Sequence, residues 1–374
     1  MKKSMLLILA VVLFALALPA CRQGKSDRVG AGDDSVITEA RLLRMDRQAG
    51  YTLVTVLDPW QEGRVLQRYV LVPRDSMLPA RLPEGTLVRT PVRNALVYSA
   101  VQVSLLSEIG AFDAVHGVTD SRWFTDSATV ARIASGDIVD CGSSENPTVE
   151  KVIAMQPDAV LLSPYQDANY GQITKLGVPI IECADYMEYT PLGRAEWVKF
   201  YGELVGRRAQ ADSLYAAVAD SYNEVKKLTS SARTKPTIVT EMVISNVWNI
   251  PGGKSYMARI MADAGGTYLW ADDDHTGSLS YDFNRVLERA HKADFWLIKW
   301  TGINTLADLK AAYALNSEMD AYRQKHVYVC DTDRSRFFEV VPYHPDVLLR
   351  EFAAVMHPDL LPGYQLRLYR HLDQ

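Results

Sequence analysis

Hydrophobic and polar positions follow two different periods along this chain. Residues 50–72 show the two-residue alternation of β-strands on both sides of a turn at Gly63, which predicts a β-hairpin. From residue 95 onward, short apolar runs alternate with stretches of helical periodicity, as in ALVYS at 95–99 followed by VQVSLLSEIGAF. Strands and helices that alternate with short connections predict parallel βαβ units.

One helical stretch is much longer than the others. Residues 194–231 contain no proline, and the apolar positions between Arg207 and Leu228 follow helical spacing, with Gly206 as the expected break. A helix of that length covers roughly 30 Å, about the diameter of a small lobe. It could therefore connect one lobe of the protein to another.

The first residues of the chain form a targeting segment. Lys2 and Lys3 precede an apolar stretch at 5–18 that is short for a bilayer span, and Leu-Pro-Ala-Cys follows at 18–21. This ending resembles a bacterial lipoprotein box, in which Cys21 is acylated; the alternative is a plain signal peptide. The polar, glycine-rich residues 22–35 are interpreted as a tether. The predicted location is the periplasmic side of the cell envelope, with the lipid as the membrane anchor.

Composition and charge narrow the classes of function. The 374 residues are 48% hydrophobic and 23% charged, which is typical of a globular protein with room for two structural units. A formal charge of -5 without a long basic run argues against nucleic acid as a partner. Three cysteines follow Cys21. An oxidising periplasm would allow one disulfide, and Cys141 with Cys183 is the expected pair; the alternative is three buried thiols.

Catalytic motifs are missing from the sequence. Gly-Lys-Ser at 253–255 is not a phosphate-binding loop, because Trp248 stands where that motif requires glycine. There is no His-Glu-x-x-His helix, nucleophile elbow or Cys-x-x-Cys pair. His116, His275 and His344 could meet on a metal, but scattered histidines are more often packed or solvated. We therefore predict no enzyme, no cofactor and no catalytic residue.

Three segments carry a resemblance to a known family. They are YSAVQVSLLSEIGAFDAVHGVTD (98–120), NPTVEKVIAMQPDAVLLSP (146–164) and WNIPGGKSYMARIMADAGG (248–266). Together they resemble the substrate-binding proteins of ABC importers for iron complexes, haem and cobalamin, over about residues 92–360. Residues 182–204 resemble a lipoprotein branch of that family.

The resemblance and the periodicity together give a fold and a domain scheme. The fold is α/β, with two βα lobes joined by a single long backbone helix, a ligand cleft between the lobes and a small N-terminal β-hairpin extension. The protein is expected to be a monomer. Its predicted parts are a lipoprotein signal peptide (1–20), a tether (21–35), an N-terminal β extension (36–91), an N-terminal lobe (92–206), a linking helix (207–232) and a C-terminal lobe (233–374).

The resemblance also implies ligand-binding residues at the carboxyl ends of strands, where α/β folds place ligands. Aromatic rings suit a flat macrocycle or a catecholate, and cationic side chains suit its negative groups. Each Trp or Tyr could equally be a core residue, and Arg194 could instead cap a turn or pair with Glu182 or Glu196. The candidates are Tyr98, Ser99, Trp123, Tyr165, Tyr186 and Arg194 in the first lobe, and Trp248, Tyr256, Trp270, Lys299, Trp300 and Arg336 in the second.

The resemblance further implies that the protein docks on its permease through one surface carboxylate per lobe. Glu150 matches the first, although the helix dipole also favours a Glu in a first helical turn. Asn284 stands where the second Glu is usual, and Asp282 or Glu288 are the candidates to replace it.

The expected function is therefore capture of an iron complex (siderophore or haem) or cobalamin and its delivery to the membrane subunits of an ABC permease. A zinc or manganese carrier is the alternative within transport, and it requires histidines and carboxylates that converge in the cleft. An extracytoplasmic enzyme or a purely structural lipoprotein would be a different class of protein. The sequence does not distinguish between siderophore, haem and cobalamin as the ligand, because all three are bound in aromatic and cationic clefts.

Overall fold

Four β-sheets organise residues 36–373, the part of the chain that the computed structural model describes. Two of these sheets are five-stranded and mainly parallel, with helices between their strands, so the α/β class predicted from the sequence is confirmed. The signal peptide, the acylated Cys21 and the tether predicted for residues 1–35 lie outside the described residues.

The first sheet contains the predicted hairpin. Its strands are β1 (Leu43–Gln48), β2 (Tyr51–Leu57), β3 (Val65–Pro73) and β4 (Thr86–Thr90), in that order. Alternate residues of β2 are buried, and β2 pairs with β3 in antiparallel orientation across the turn at Gly63. The φ of Gly63 is +79°, which glycine adopts without strain. Because β4 adds to β3 in parallel orientation, the extension is a full sheet rather than a lone hairpin.

The second sheet is wholly parallel. Its strands are β5 (Ala95–Val97), β6 (Val115–Val118), β7 (Val139–Asp140), β8 (Ala159–Leu162) and β9 (Ile180–Glu182), in the order β7-β6-β5-β8-β9. The helices in its connections are α1 (Ala100–Glu108), α2 (Ser127–Ser135) and α3 (Val149–Met155). Every residue of β8 is buried, as expected for an interior parallel strand covered on both faces.

Three helices lead away from this sheet: α4 (Pro191–Glu196), α5 (Val198–Val205) and α6 (Arg208–Thr229). Gly206 ends α5 with a φ of +70°, so the helix break predicted at this residue is present. The 22 residues of α6 span roughly 33 Å. Ala211, Val218, Tyr222 and Val225 form the buried stripe of α6, as the helical spacing of its apolar positions predicts.

The remaining strands form two further sheets. They are β10 (Thr237–Thr240), β11 (Val243–Ile244), β12 (Val247–Pro251), β13 (Thr267–Tyr268), β14 (Ser278–Tyr281), β15 (Phe295–Lys299), β16 (Val327–Cys330) and β17 (Tyr369–His371). The third sheet has the order β13-β10-β15-β16-β17 and is parallel except for β17, whereas β11, β12 and β14 form an antiparallel fourth sheet. Positive φ angles at Ser245 and Asn246 give the tight hairpin turn between β11 and β12.

Seven helices of the described chain accompany these strands. They are α7 (Tyr256–Asp263), α8 (Phe283–Ala290), α9 (Leu306–Ala312), α10 (Asp320–Arg323), α11 (Thr332–Ser335), α12 (Phe337–Val340) and α13 (Pro345–Met356). Helix α13 packs along α6, and α12 packs on α1, so this part of the chain contacts both the linking helix and the second sheet's layer. Within residues 36–373 we find no helix with the length and apolarity needed to cross a membrane.

Two buried carboxylates fasten the start of the described chain to helix α4 and to the segment that precedes it. Glu196 accepts hydrogen bonds from the backbone N–H groups of residues 38–40, and the Lys199 ammonium lies 2.8 Å from its Oε1. Glu188 accepts hydrogen bonds from the backbone N–H groups of residues 41–42. Five consecutive amides that precede β1 are therefore satisfied by two side chains far away in sequence.

The cysteines of the described chain correct the expected disulfide. Cys141, Cys183 and Cys330 are free and buried. Cys141 lies in a small hydrophobic cluster around β8, whereas Cys183 lies in a separate cluster with Trp197. The alternative of buried thiols therefore holds, and burial raises the pKa of Cys141 to about 11.

Candidate ligand-binding site

A cavity of about 430 Å³ lies at the carboxyl ends of β5 and β8. Tyr98 directly follows β5, while Tyr165 and Tyr170 come from the segment that follows β8. The rings of these two meet edge to face, with centroids 6.3 Å apart. Burial raises the pKa of Tyr98 to about 12, so its hydroxyl stays protonated at neutral pH. We call this space the first cavity.

The first sheet supports one wall of the first cavity. The Tyr170 hydroxyl donates a hydrogen bond of 2.7 Å to Oε1 of Glu182, the last residue of β9. The backbone N–H of Glu182 in turn donates to the hydroxyl of Tyr69 on β3, also at 2.7 Å. Burial raises the pKa of Glu182. The wall therefore depends on the N-terminal extension as well as on the second sheet.

A second cavity of about 460 Å³ lies at the carboxyl ends of β10 and β15. Glu241 follows β10, Lys299 ends β15, and both side chains line this space. Its aromatic walls come from Tyr256 at the start of α7, from Trp300 and from the exposed Phe338. The second cavity therefore lies at the strand ends of the third sheet, just as the first cavity lies at the strand ends of the second sheet.

Lys299 and Glu241 form an ion pair at the second cavity. Burial alone would lower the pKa of Lys299, but the neighbouring Glu241 carboxylate outweighs burial and raises it. The ammonium also lies 5.5 Å from the centroid of the Phe337 ring. Lys299 is therefore charged and already has a partner.

Arg194 connects the two halves of the molecule. Its Nε donates a hydrogen bond of 3.3 Å to Oδ2 of the buried Asp185, and its guanidinium lies over the Tyr256 ring. Burial raises the pKa of Asp185, although the Arg194 charge opposes this effect. The partner of Arg194 is therefore Asp185, and neither Glu182 nor Glu196 as the sequence suggested.

Arg336 lies in a groove of about 310 Å³ between α1 and the segment around α12, and it does not line either cavity. Its guanidinium contacts Glu339 at 2.6 Å, Asp126 at 3.4 Å and the Ser104 hydroxyl at 3.3 Å. These contacts cross from the third sheet's side of the molecule to the second sheet's side. The structure therefore places Arg336 in a polar contact between lobes.

Two of the candidate tryptophans, Trp248 and Trp270, are buried and line neither cavity. Trp248 is 0% exposed and stacks on Trp296 with ring centroids 5.5 Å apart, and its indole N–H donates to the Thr240 carbonyl. Trp270 lies under Arg289, beside a different surface depression. Neither ring reaches the second cavity.

The other candidates of the first lobe do not line the first cavity. Ser99 caps α1 by accepting a hydrogen bond from the Val101 N–H. The Tyr186 hydroxyl donates to the Pro164 carbonyl. Trp123 is exposed, and Arg122 packs on its ring.

The candidate docking carboxylates lie on the surface. Glu150 is exposed in the first turn of α3. Asp282 is exposed and caps α8, because its carboxylate accepts a 3.0 Å hydrogen bond from the Arg285 N–H. Asn284 is exposed two residues further along α8, and Glu288 pairs with Arg285 at 3.7 Å.

The histidines considered for a metal site lie apart and have other contacts. His275 pairs with Asp273 at 3.0 Å, His344 pairs with Glu108 at 2.8 Å, and His116 contacts the Ala114 carbonyl. In the part of the chain that the structure describes, no group of three or more His, Cys, Asp or Glu side chains is arranged to hold a metal ion.

Sequence reasoning missed several residues that line the cavities. Glu241 immediately follows a strand, so the rule that points to strand ends could have found it. Tyr170 and Phe338 lie several residues beyond the end of a strand. In such segments the sequence does not indicate whether a side chain faces the cavity. No local pattern signals them.

Two parallel-sheet halves, linked by helices and each with a cavity at its strand ends, have the architecture of a two-lobe solute-binding protein. The chain belongs to the periplasmic binding protein family, whose model matches residues 96–333. Proteins of this family bind small ligands and work with ABC permeases.

The chain is also similar to curated relatives and to solved structures. Two uncharacterised lipoproteins of Methanocaldococcus jannaschii are 23% and 25% identical to the chain; each alignment covers 81% of this chain, and 75% and 81% of the relative. Among solved structures, a protein of an Fe³⁺-hydroxamate transport system from Saccharomonospora viridis is similar, with a TM-score of 0.55 and 18% identity over 71% of this chain and 94% of that one.

Two further solved structures show how widely ligands vary on this fold. A periplasmic haem-binding protein from Pseudomonas aeruginosa has a TM-score of 0.57 and 13% identity over 76% of this chain and 99% of that one. The molybdate-binding protein MolA from Haemophilus influenzae has a TM-score of 0.58 and 14% identity over 75% of this chain and 90% of that one. At such low identity these likenesses show the fold alone.

Proposed function

We propose that this protein captures a metal chelate, either an iron complex (siderophore or haem) or cobalamin, and delivers it to an ABC permease. The observation that carries the proposal is the pair of aromatic-lined cavities at the carboxyl ends of the two parallel sheets. In the proposal the two cavities are halves of one cleft, and a chelate binds between them.

The character of the walls supports a large organic ligand. The first cavity presents Tyr98, Tyr165 and Tyr170, and the second presents Tyr256 and Trp300. Aromatic rings offer broad, weakly polar contact area to a macrocycle or to the organic shell of a chelated iron. A bare metal ion would instead need converging His, Cys, Asp or Glu ligands.

Delivery would use surface carboxylates, and the lipid on Cys21 would hold the protein at the membrane. Glu150 is exposed and free to meet a basic residue of a permease, and Asp282 is exposed at the start of α8. The names of the two Methanocaldococcus relatives, both lipoproteins, support the anchor. We propose that the anchored protein acts as a monomer.

The test is the absorption spectrum of the protein purified from its native host, followed by titration of the ligand-free protein with ferrichrome, ferric enterobactin, haem and cyanocobalamin. Each of these chromophores has its own visible spectrum. A bound chromophore with stoichiometric iron or cobalt supports the proposal. Stoichiometric zinc or manganese without an organic chromophore would contradict it and favour the bare-metal carrier.

A further inference from the structure

The one cation among the described residues that line the two cavities is already neutralised by a carboxylate. Lys299 is the one Lys or Arg among the described residues that line the second cavity, and it pairs with Glu241. Its side chain is 14% exposed and that of Glu241 is 18% exposed, so the pair is shielded from water. A shielded pair presents little net positive field to a ligand.

The two arginines expected to bind negative groups are neutralised in the same way. Arg194 is buried against Asp185. Arg336 contacts both Asp126 and Glu339. Neither guanidinium is therefore a free anion receptor.

The first cavity contributes negative charge. Within the described residues, Glu145 is its one charged lining residue, and no ion pair involves that carboxylate. One lysine against Glu145 and Glu241 leaves the lining of the two cavities with one net negative charge. The aromatic faces around this lining attract cations and repel anions.

An anionic ligand would have to separate Lys299 from Glu241. That separation leaves a shielded carboxylate without a counter-charge next to the incoming anion, which is strongly unfavourable. An uncharged or cationic ligand leaves the pair intact. The buried pair therefore disfavours anionic ligands relative to uncharged or cationic ones.

We infer that the cleft selects metal chelates that carry no net negative charge, such as ferric trihydroxamates or a corrinoid, over ferric catecholates and the dicarboxylate haem. This inference rests on the proposed function and narrows its ligand class. It replaces the sequence-based expectation that cationic side chains at strand ends would receive anionic groups.

The first experiment is a titration of the purified, ligand-free protein, monitored by tryptophan fluorescence. The probes are ferrichrome (uncharged), ferrioxamine B (singly cationic), ferric enterobactin (triply anionic), haem and cyanocobalamin. We expect at least one uncharged or cationic probe to bind roughly 10-fold or more tightly than both anionic probes. A wild-type protein that prefers ferric enterobactin or haem would overturn the charge selection alone, whereas binding of no probe would overturn the proposed function together with it.

The second experiment leaves Lys299 without its carboxylate partner. Glu241→Gln removes the partner of Lys299, so the affinity for an anionic probe should rise by roughly 10-fold while that for ferrichrome stays nearly constant. Glu318→Gln is the matched control, because Glu318 is exposed, pairs with Arg323 and lines neither cavity. Equal changes for anionic and uncharged probes would overturn the inference, because the pair would then be merely structural. If the variant fails to fold, the wild-type titration still decides.

Discussion

The guanidinium carbon of Arg194 lies 5.3 Å from the centroid of the Tyr256 ring, so the helix that follows the second sheet touches the wall of the second cavity. The same guanidinium binds Asp185 on its other side. Arg194 therefore links a strand end of one lobe to the ligand-facing ring of the other. Its substitution should affect folding stability first.

We expect Arg194→Ala to lower the free energy of unfolding at neutral pH by about 3–5 kcal/mol, because Asp185 would stay buried without a counter-charge. Arg194→Lys, which keeps the charge, should lose less. Burial already raises the pKa of Asp185, and loss of Arg194 removes a group that opposes this shift. The deficit should therefore shrink as the pH falls through the raised pKa of Asp185 and the carboxyl becomes neutral. Urea titrations at acidic and neutral pH check this prediction, and a deficit independent of pH would contradict it.

His344 should make stability depend on pH. Burial lowers its pKa, but the hydrogen bond and charge of Glu108, with the charge of Asp346, outweigh burial, and the net shift is upward from 6.5. A raised folded-state pKa stabilises the fold below the unfolded value, and this stabilisation is lost as the pH rises through the folded value. His344→Gln should therefore destabilise the protein at about pH 5.5 and have little effect at about pH 9. Thermal unfolding of both proteins across this range is the measurement; parallel curves would exclude a charged His344.

Glu150→Ala should leave ligand affinity unchanged and reduce uptake, because the side chain is exposed on α3 and lines neither cavity. Fluorescence titration measures the affinity, and proteoliposomes with the cognate permease measure the uptake. Glu318→Ala, another exposed carboxylate, is the control and should transport normally. A tenfold loss of ligand affinity, about 1.4 kcal/mol, would falsify a role confined to docking.

Two substitutions of Asp282 can distinguish its role as the cap of helix α8 from a role in docking on the permease. Asp282→Ala removes the cap of α8 and should lower the free energy of unfolding by about 0.5–2 kcal/mol, whereas Asp282→Asn preserves the cap. If the carboxylate docks on the permease, both variants lose uptake, and only the Ala variant loses stability. Normal uptake by the Asn variant would rule out docking through Asp282.

Asn284→Glu should strengthen binding to the permease, because Asn284 is exposed on α8 near Asp282, where a carboxylate can reach a basic permease residue. A pull-down of the detergent-solubilised permease compares the variant with the native protein. Unchanged binding would count against this face as a docking surface.

Local periodicity predicted much of the fold. The alternation in β2, the helical stripe of α6 and the stop at Gly206 are each written in a few neighbouring residues, and the structure has all three. The same alternation could have predicted that Trp248 is buried. Exposed and buried positions alternate along β12, and Trp248 lies on the buried face with Ile250. Proximity to a strand end alone was therefore a poor guide to the site.

The partners of charged side chains could not be predicted, because they depend on how distant segments pack. Arg194 pairs with Asp185, nine positions earlier in the chain, while the nearer Glu196 instead binds amides more than 150 positions away. The charge of the cleft follows from such pairings. The positions of Arg194 and Arg336 in the sequence suggested that they bind an anionic ligand. In the structure both guanidinium groups already pair with carboxylates, which argues against that role.

The two carboxylates that hold residues 38–42 determine where mechanical load enters the protein. A pull that arrives along the chain at residue 38 acts first on amides held by Glu196 and Glu188, and from there on α4, which also carries Arg194. The strands of the first sheet come later in the chain, so they are not peeled apart one by one. Tension would thus reach the helix whose Arg194 contacts Tyr256 of the other lobe before it reaches the strands of the first sheet.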